Sequence, residues 1–157
     1  MGDQAKPDPM LLQACASAQA RSVASGKISA AGLLQLQLDA LDRLNPSINA
    51  YIARTANPGP EPGTSPLAGS CFAVKDNFDV AGLPTASGLR ALQRLPNQDA
   101  TLVARLRSAG MVCLGKLNMH PMALGASNHN PDYGDCFNPR RIGATPGGSS
   151  GGSGAAV

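Results

Sequence analysis

Apolar residues in this chain come in short runs whose spacing changes along it. Residues 10–25 are rich in Ala, Gln and Leu and read as a first helix, with Gly26 placed as its C-cap. Ser29 stands where the N-cap of a second helix belongs. Leu33, Leu34, Leu36, Leu38, Leu41 and Leu44 give that helix a broad apolar face. Asn45-Pro46 predicts its end, because the residue before a proline is pushed out of the helical region. Residues 48–52 then read as a short strand. Residues 55–69 hold Pro58, Pro60, Pro62 and Pro66 among Gly59, Gly63 and Gly69, the pattern of a surface loop serving as a linker.

The next apolar runs have a different character. Cys71-Phe72-Ala73-Val74 is continuous rather than alternating, as in a strand buried on both faces, and is closed by Lys75-Asp76-Asn77. Asp99 sits as an N-cap before residues 100–108, where Leu102, Val103 and Leu106 share one face and Gly110 terminates. Met111-Val112-Cys113-Leu114 is a second buried strand, followed by Gly115-Lys116. Strand, helix, strand predicts a parallel βαβ unit. The fold class is therefore α/β: a mixed β-sheet covered by helices and preceded by a helical arm, with the arm at 1–47 and the sheet domain at 48–157.

Composition sharpens this picture mainly by exclusion. A length of 157 residues allows one domain with a real core, and 43% hydrophobic with 15% charged residues argues against disorder. The net charge of +3 is scattered, and no basic run exceeds Arg140-Arg141, so a nucleic-acid face is not indicated. Cys15, Cys71, Cys113 and Cys136 lack metal-site or disulfide-frame spacing and read as reduced thiols. The first residues lack the apolar run of a signal peptide, and no stretch reaches the length of a membrane span, which reads as cytoplasmic.

Two places could carry chemistry. Lys75 ends an apolar strand, where desolvation can turn an ammonium into a general base; alternatively it pairs with Asp76 or snorkels outward. Ser149 lies in Gly147-Gly148-Ser149-Ser150-Gly151-Gly152, a loop able to bring backbone close to a substrate. A flexible linker, a capped helix start and a phosphate nest are the other readings, and the last lacks the P-loop lysine pattern. His120 and His129, the latter near Asp132 in sequence, find no further ligands at zinc-site spacing and read as structural or cleft-lining.

Taken together, the blocks carry a resemblance. The segment from Phe72-Ala73-Val74-Lys75-Asp76-Asn77 through Gly82-Leu83-Pro84-Thr85, the helix from Asp99-Ala100-Thr101-Leu102-Val103 to Gly110, Leu114-Gly115-Lys116-Leu117-Asn118-Met119-His120, Asn138-Pro139, and Pro146-Gly147-Gly148-Ser149-Ser150-Gly151-Gly152-Ser153 occur in an order that resembles the amidase signature family. These are serine hydrolases that cleave carboxamide C–N bonds. The resemblance runs from about residue 48 to residue 157, and more loosely over the helical arm.

The resemblance implies a Ser–cis-Ser–Lys relay. Lys75 matches the lysine and Ser149 the bridging serine, with a cis peptide bond from Gly148. The nucleophilic serine and the oxyanion donors of the family lie further on, so the expectation is a partial amidase domain at 48–157, cut before its nucleophile and inactive alone. Met119, Gly125 and Ser150 are the implied substrate-side residues, within a wall at 119–126. Asp76 is expected to orient the lysine loop. Pro121, Met122 and Leu117 depart from the family pattern. No cofactor and no metal are implied. The implied partner is a small-molecule amide, with no direct nucleic-acid or membrane contact, and a homodimer of the full-length enzyme is left open. The rival readings are the glutamine-hydrolysing component of an amidotransferase that works on charged tRNA, and a non-catalytic amide-binding or regulatory fragment.

Overall fold

Two glycines stop two helices by the same device. In the computed structural model, which describes residues 8–55 and 64–157, helix α1 spans Ala16–Ala24. Gly26 follows at φ 73°. Its N–H donates to Val23 O, while the Lys27 N–H reaches back to Ser22 O at 3.0 Å. Helix α3 at Thr101–Ser108 ends identically: Gly110 at φ 75° donates to Arg107 O, and Met111 donates to Leu106 O. This is the paired-bond ending that only a residue at ease with positive φ supplies. The first helix is shorter than the sequence predicts, because residues Pro9–Gln13 form a separate 3₁₀ turn.

Helix α2, Ala30–Ile48, begins as expected: Ser29 Oγ accepts from the Gly32 N–H at 3.0 Å. It does not end at Asn45-Pro46. Pro46 lies inside the last turn, and the helix runs on to Asn49, which takes the left-handed conformation and donates its N–H to Asn45 O at 2.7 Å. Strand β1 is accordingly displaced from the expected 48–52 to Tyr51–Arg54. Most of the proline-rich linker lies outside the described residues.

Strands β2 (Cys71–Lys75) and β3 (Val112–Leu117) are parallel and joined through α3, as the pattern predicts. Strand β1 adds antiparallel to the other edge of β3, giving the order β1-β3-β2. The sheet is mixed, and every residue of its central strand is buried. Strand β3 runs past the expected Leu114 because Gly115 allows β1 to press close: a Cβ there would overlap Ala53 O. Val74, Val80, Leu83, Val103 and Cys113 form the main core, with Phe72, Phe78 and Ala100 against it. Ala50, Cys136 and Ala155 form a second, smaller core. Asp99 is not the expected cap; Ala100 holds that position, and the Asp99 carboxylate instead accepts from the Ala81 N–H at 2.8 Å and lies 3.4 Å from Arg107. No helix among the described residues is long and apolar enough to cross a membrane.

Candidate active site

The end of β2 and the start of the last helix meet at one point. Helix α4 spans Gly151–Ala156 and packs on β2. It can do so because its first residues have no side chains: a Cβ on Gly152 would sit 2.6 Å from Ala50 O and from Asn118 N and O. The Gly152 N–H donates to Asn118 O at 3.0 Å, and the Gly151 N–H to Asn128 Oδ1 at 3.0 Å. The residue before the helix is thus fixed against the strand that follows β3. Ser149 is reached through a cis peptide bond from Gly148, and its carbonyl accepts from the His120 N–H at 3.0 Å.

Lys75 Nζ donates to Ser149 Oγ at 2.7 Å and to Ser150 Oγ at 2.8 Å. The two residues Lys75 and Ser149 are 74 positions apart in sequence. Lys75 is half-buried, and that loss of hydration pushes its amine below the ordinary lysine value. Ser150 occupies the N-cap position of α4, but its hydroxyl makes no capping bond and is given to Lys75 instead. A neutral amine beside two hydroxyls is an arrangement able to accept and return a proton.

Asp76 does not pair with Lys75. Its carboxylate turns to Lys116 Nζ, 3.0 Å away, with both side chains almost wholly shielded, at 1% and 0% exposure. Asp76 Oδ2 also accepts from the Ala86 and Gly88 N–H groups at 3.2 and 3.0 Å. Lys116 donates to Thr85 Oγ1 at 2.7 Å and to Pro84 O at 3.0 Å. Burial lowers the Lys116 amine, and the Asp76 carboxylate opposes that shift. Lys116 had no role in the sequence reading. Nothing local announces a salt bridge spanning 40 residues, although a lysine inside a continuous apolar run is itself a signal that a buried partner exists.

The remaining candidates are placed as follows. Met119 is fully buried and packs by Gly88, while its carbonyl accepts from Asn130 Nδ2 at 2.9 Å. Gly125 is half-buried and lies against both the His120 ring and Gly148. Residues Pro121–Ala123 form a short turn in which Met122 and Ala123 both take positive φ. His129 pairs with Asp135 at 2.8 Å, not with Asp132, whose carboxylate accepts from the Arg90 N–H. The buried Asn118 and Asn130 were not singled out by the sequence reading, yet they tie this region together. Asn118 Nδ2 donates to Asn49 O and Gly134 O, and Asn130 Nδ2 to Met119 O and Gly88 O. Among the described residues, no three His, Cys, Asp or Glu side chains gather as a metal ion would need.

The family described as amidase matches residues 34–157. The A chain of glutamyl-tRNA(Gln) amidotransferase from Anaeromyxobacter sp. (strain K) is 40% identical over 94% of this chain and 32% of its own length. The solved structure of a 6-aminohexanoate cyclic dimer hydrolase matches with a TM-score of 0.88 at 34% identity, over 93% of this chain and 32% of that one. A peptide amidase from Stenotrophomonas maltophilia matches with a TM-score of 0.79 at 31% identity, over 96% and 35%. The chain thus spans about a third of the length of the curated relatives it matches.

Proposed function

The chain belongs to the amidase family, and on that premise we propose that the protein hydrolyses carboxamide C–N bonds through a serine acyl-enzyme in which Lys75 and Ser149 form the proton relay. The observation that carries this is the 2.7 Å contact between Lys75 Nζ and Ser149 Oγ. In the proposed sequence the neutral Lys75 amine takes the Ser149 proton, and Ser149 takes one from a nucleophilic serine lying outside these 157 residues. That serine bonds to the amide carbon. The C–N bond then breaks, and the departing nitrogen receives the proton back along the same path. Water, deprotonated by the same relay, cleaves the ester and frees the acid and the serine. Met119, Gly125 and Ser150 are proposed to border the acyl site, Met119 from beneath and Ser150 directly.

The substrate proposed is a small-molecule amide. A second reading, glutamine hydrolysis within an amidotransferase, is favoured by the 40% identity to the amidotransferase relative. Ammonia release from simple amides and from glutamine, with and without a candidate amidotransferase partner, separates the two. Partner-independent turnover of simple amides supports the amidase, and turnover of glutamine alone that requires a partner supports the amidotransferase. In either case Lys75→Ala and Ser149→Ala abolish hydrolysis, and retained turnover in both overturns the relay.

A further inference from the structure

Lys75 and Lys116 end neighbouring parallel strands but stand on opposite faces of the sheet. The ladder pairs Val74 with Lys116 and Lys75 with Leu117. Paired residues share a face and successive residues alternate, so Lys116 follows Val74 toward the main core while Lys75 points toward α4. Asp76, next in sequence to Lys75, is drawn to the Lys116 face and held there by Lys116, Ala86 N–H and Gly88 N–H. A carboxylate directly after a lysine is its natural ion-pair partner. Here that partner is occupied, and the Lys75 amine is left to two hydroxyls.

We propose that the buried Lys116–Asp76 ion pair is a positioning device for the relay, withholding the Asp76 carboxylate from Lys75 and anchoring the segments that carry both relay ends. This inference rests on the reading of Lys75 as the base. The anchoring runs through contacts already described. Asp76 fixes Gly88, whose carbonyl accepts from Asn130, and Asn130 also holds the Met119 carbonyl. The next residue, His120, donates its N–H to the Ser149 carbonyl. Lys116 also holds the carbonyl of Pro84, so the 84–88 turn is gripped at both ends. Neither member of the pair touches Ser149 or Ser150; both act through other residues.

The charge balance around the relay is what makes the proposal testable. Besides Asp76 and Lys116, the charged and titratable groups at this end of the sheet are Asp79 and Arg94, paired with each other at 2.8 Å, and Tyr133 with Arg90 and Asp132 beside it. His120 adjoins Ser149 through its backbone, and α4 contributes no charged side chain. Asp79 and the outer groups already have partners of their own. Removing one member of the Lys116–Asp76 pair therefore leaves one uncompensated charge near Lys75, and its sign is known in advance.

The experiment is the pH dependence of kcat/KM for amide hydrolysis in three variants of the protein, with circular dichroism to confirm folding. In Lys116→Met the lone carboxylate favours protonated Lys75, and the acid limb moves to higher pH by about 1 unit, as expected for an opposite charge close by. In Asp76→Asn the remaining ammonium disfavours it, and the limb moves to lower pH. The double variant carries neither charge; its limb returns to the wild-type position and its kcat recovers at least about tenfold over the worse single variant. If one single variant does not fold, the other and the double variant still read the balance. Limbs that stay fixed, or that move together, overturn the proposal and assign the pair to stability alone. Lys75→Ala, run alongside, keeps the two failures apart. Full activity in that variant removes the base itself, whereas an inactive Lys75→Ala with immobile limbs removes only the role of the pair.

Discussion

The ends of β2 and β3 offer the same side chain in two settings. Lys75 is half-buried, reaches two serine hydroxyls and faces no carboxylate; Lys116 is wholly shielded and holds a carboxylate, a hydroxyl and a carbonyl. Burial lowers both amines, but only at Lys116 does a neighbouring negative charge push back. The lesson concerns roles. A buried lysine with a full set of partners is suited to holding structure. A partly dehydrated lysine with only hydroxyls is suited to moving protons. The sheet that separates them keeps these roles from interfering.

The comparison breaks most easily at Lys75. Lys75→Ala removes the proposed base and should lower kcat by about 10²–10⁴-fold, the range for one acid–base group. Because Lys75 is partly exposed and tied only to hydroxyls, its melting temperature should stay near that of wild type. Lys116→Ala should do the reverse in stability. It strands a buried carboxylate, and losing one partner of such a pair costs about 3–5 kcal/mol in urea unfolding. Equal stability losses in the two variants would erase the distinction drawn here. A smaller effect is expected at Ser150. Ser150→Ala removes one of the two acceptors of Lys75 and leaves the 2.7 Å contact to Ser149. A rate loss of about tenfold or less is expected, the scale of one neutral hydrogen bond and far below that of Ser149→Ala. The finest distinction is chemical. Under reductive methylation of the native protein, Lys75 should modify while Lys116, at 0% exposure, stays unmodified until unfolding.

Parts of this arrangement were legible in the sequence because they depend on neighbours in the chain. Gly26 and Gly110 end their helices as read, since positive φ is a local requirement, and Ser29 caps for the same reason. The parallel pair followed from two unbroken apolar runs around a helical one. Where tertiary contacts compete, local rules gave way. Pro46 does not stop α2, because in the last turn its missing N–H and ring disturb little and Asn49 supplies a left-handed ending. Asp99 forgoes its helix for Ala81 and Arg107. At the candidate site, Lys75 and Ser149 were named from their blocks and lie in contact. The supports between them were not: Lys116, Asn118 and Asn130 act across long sequence separations, and their partners are mostly backbone groups that no side-chain pattern records.

The account turns on the protonation of one amine. Titrating the Lys75 ε-carbon by NMR, with the hydrolysis rate followed over the same pH range, tests it most directly. A lowered value means the neutral base forms as pH rises through a midpoint below the ordinary 10.5. Activity should then climb through that same midpoint. A Lys75 midpoint at or above 10.5, or activity that rises independently of it, would contradict the account.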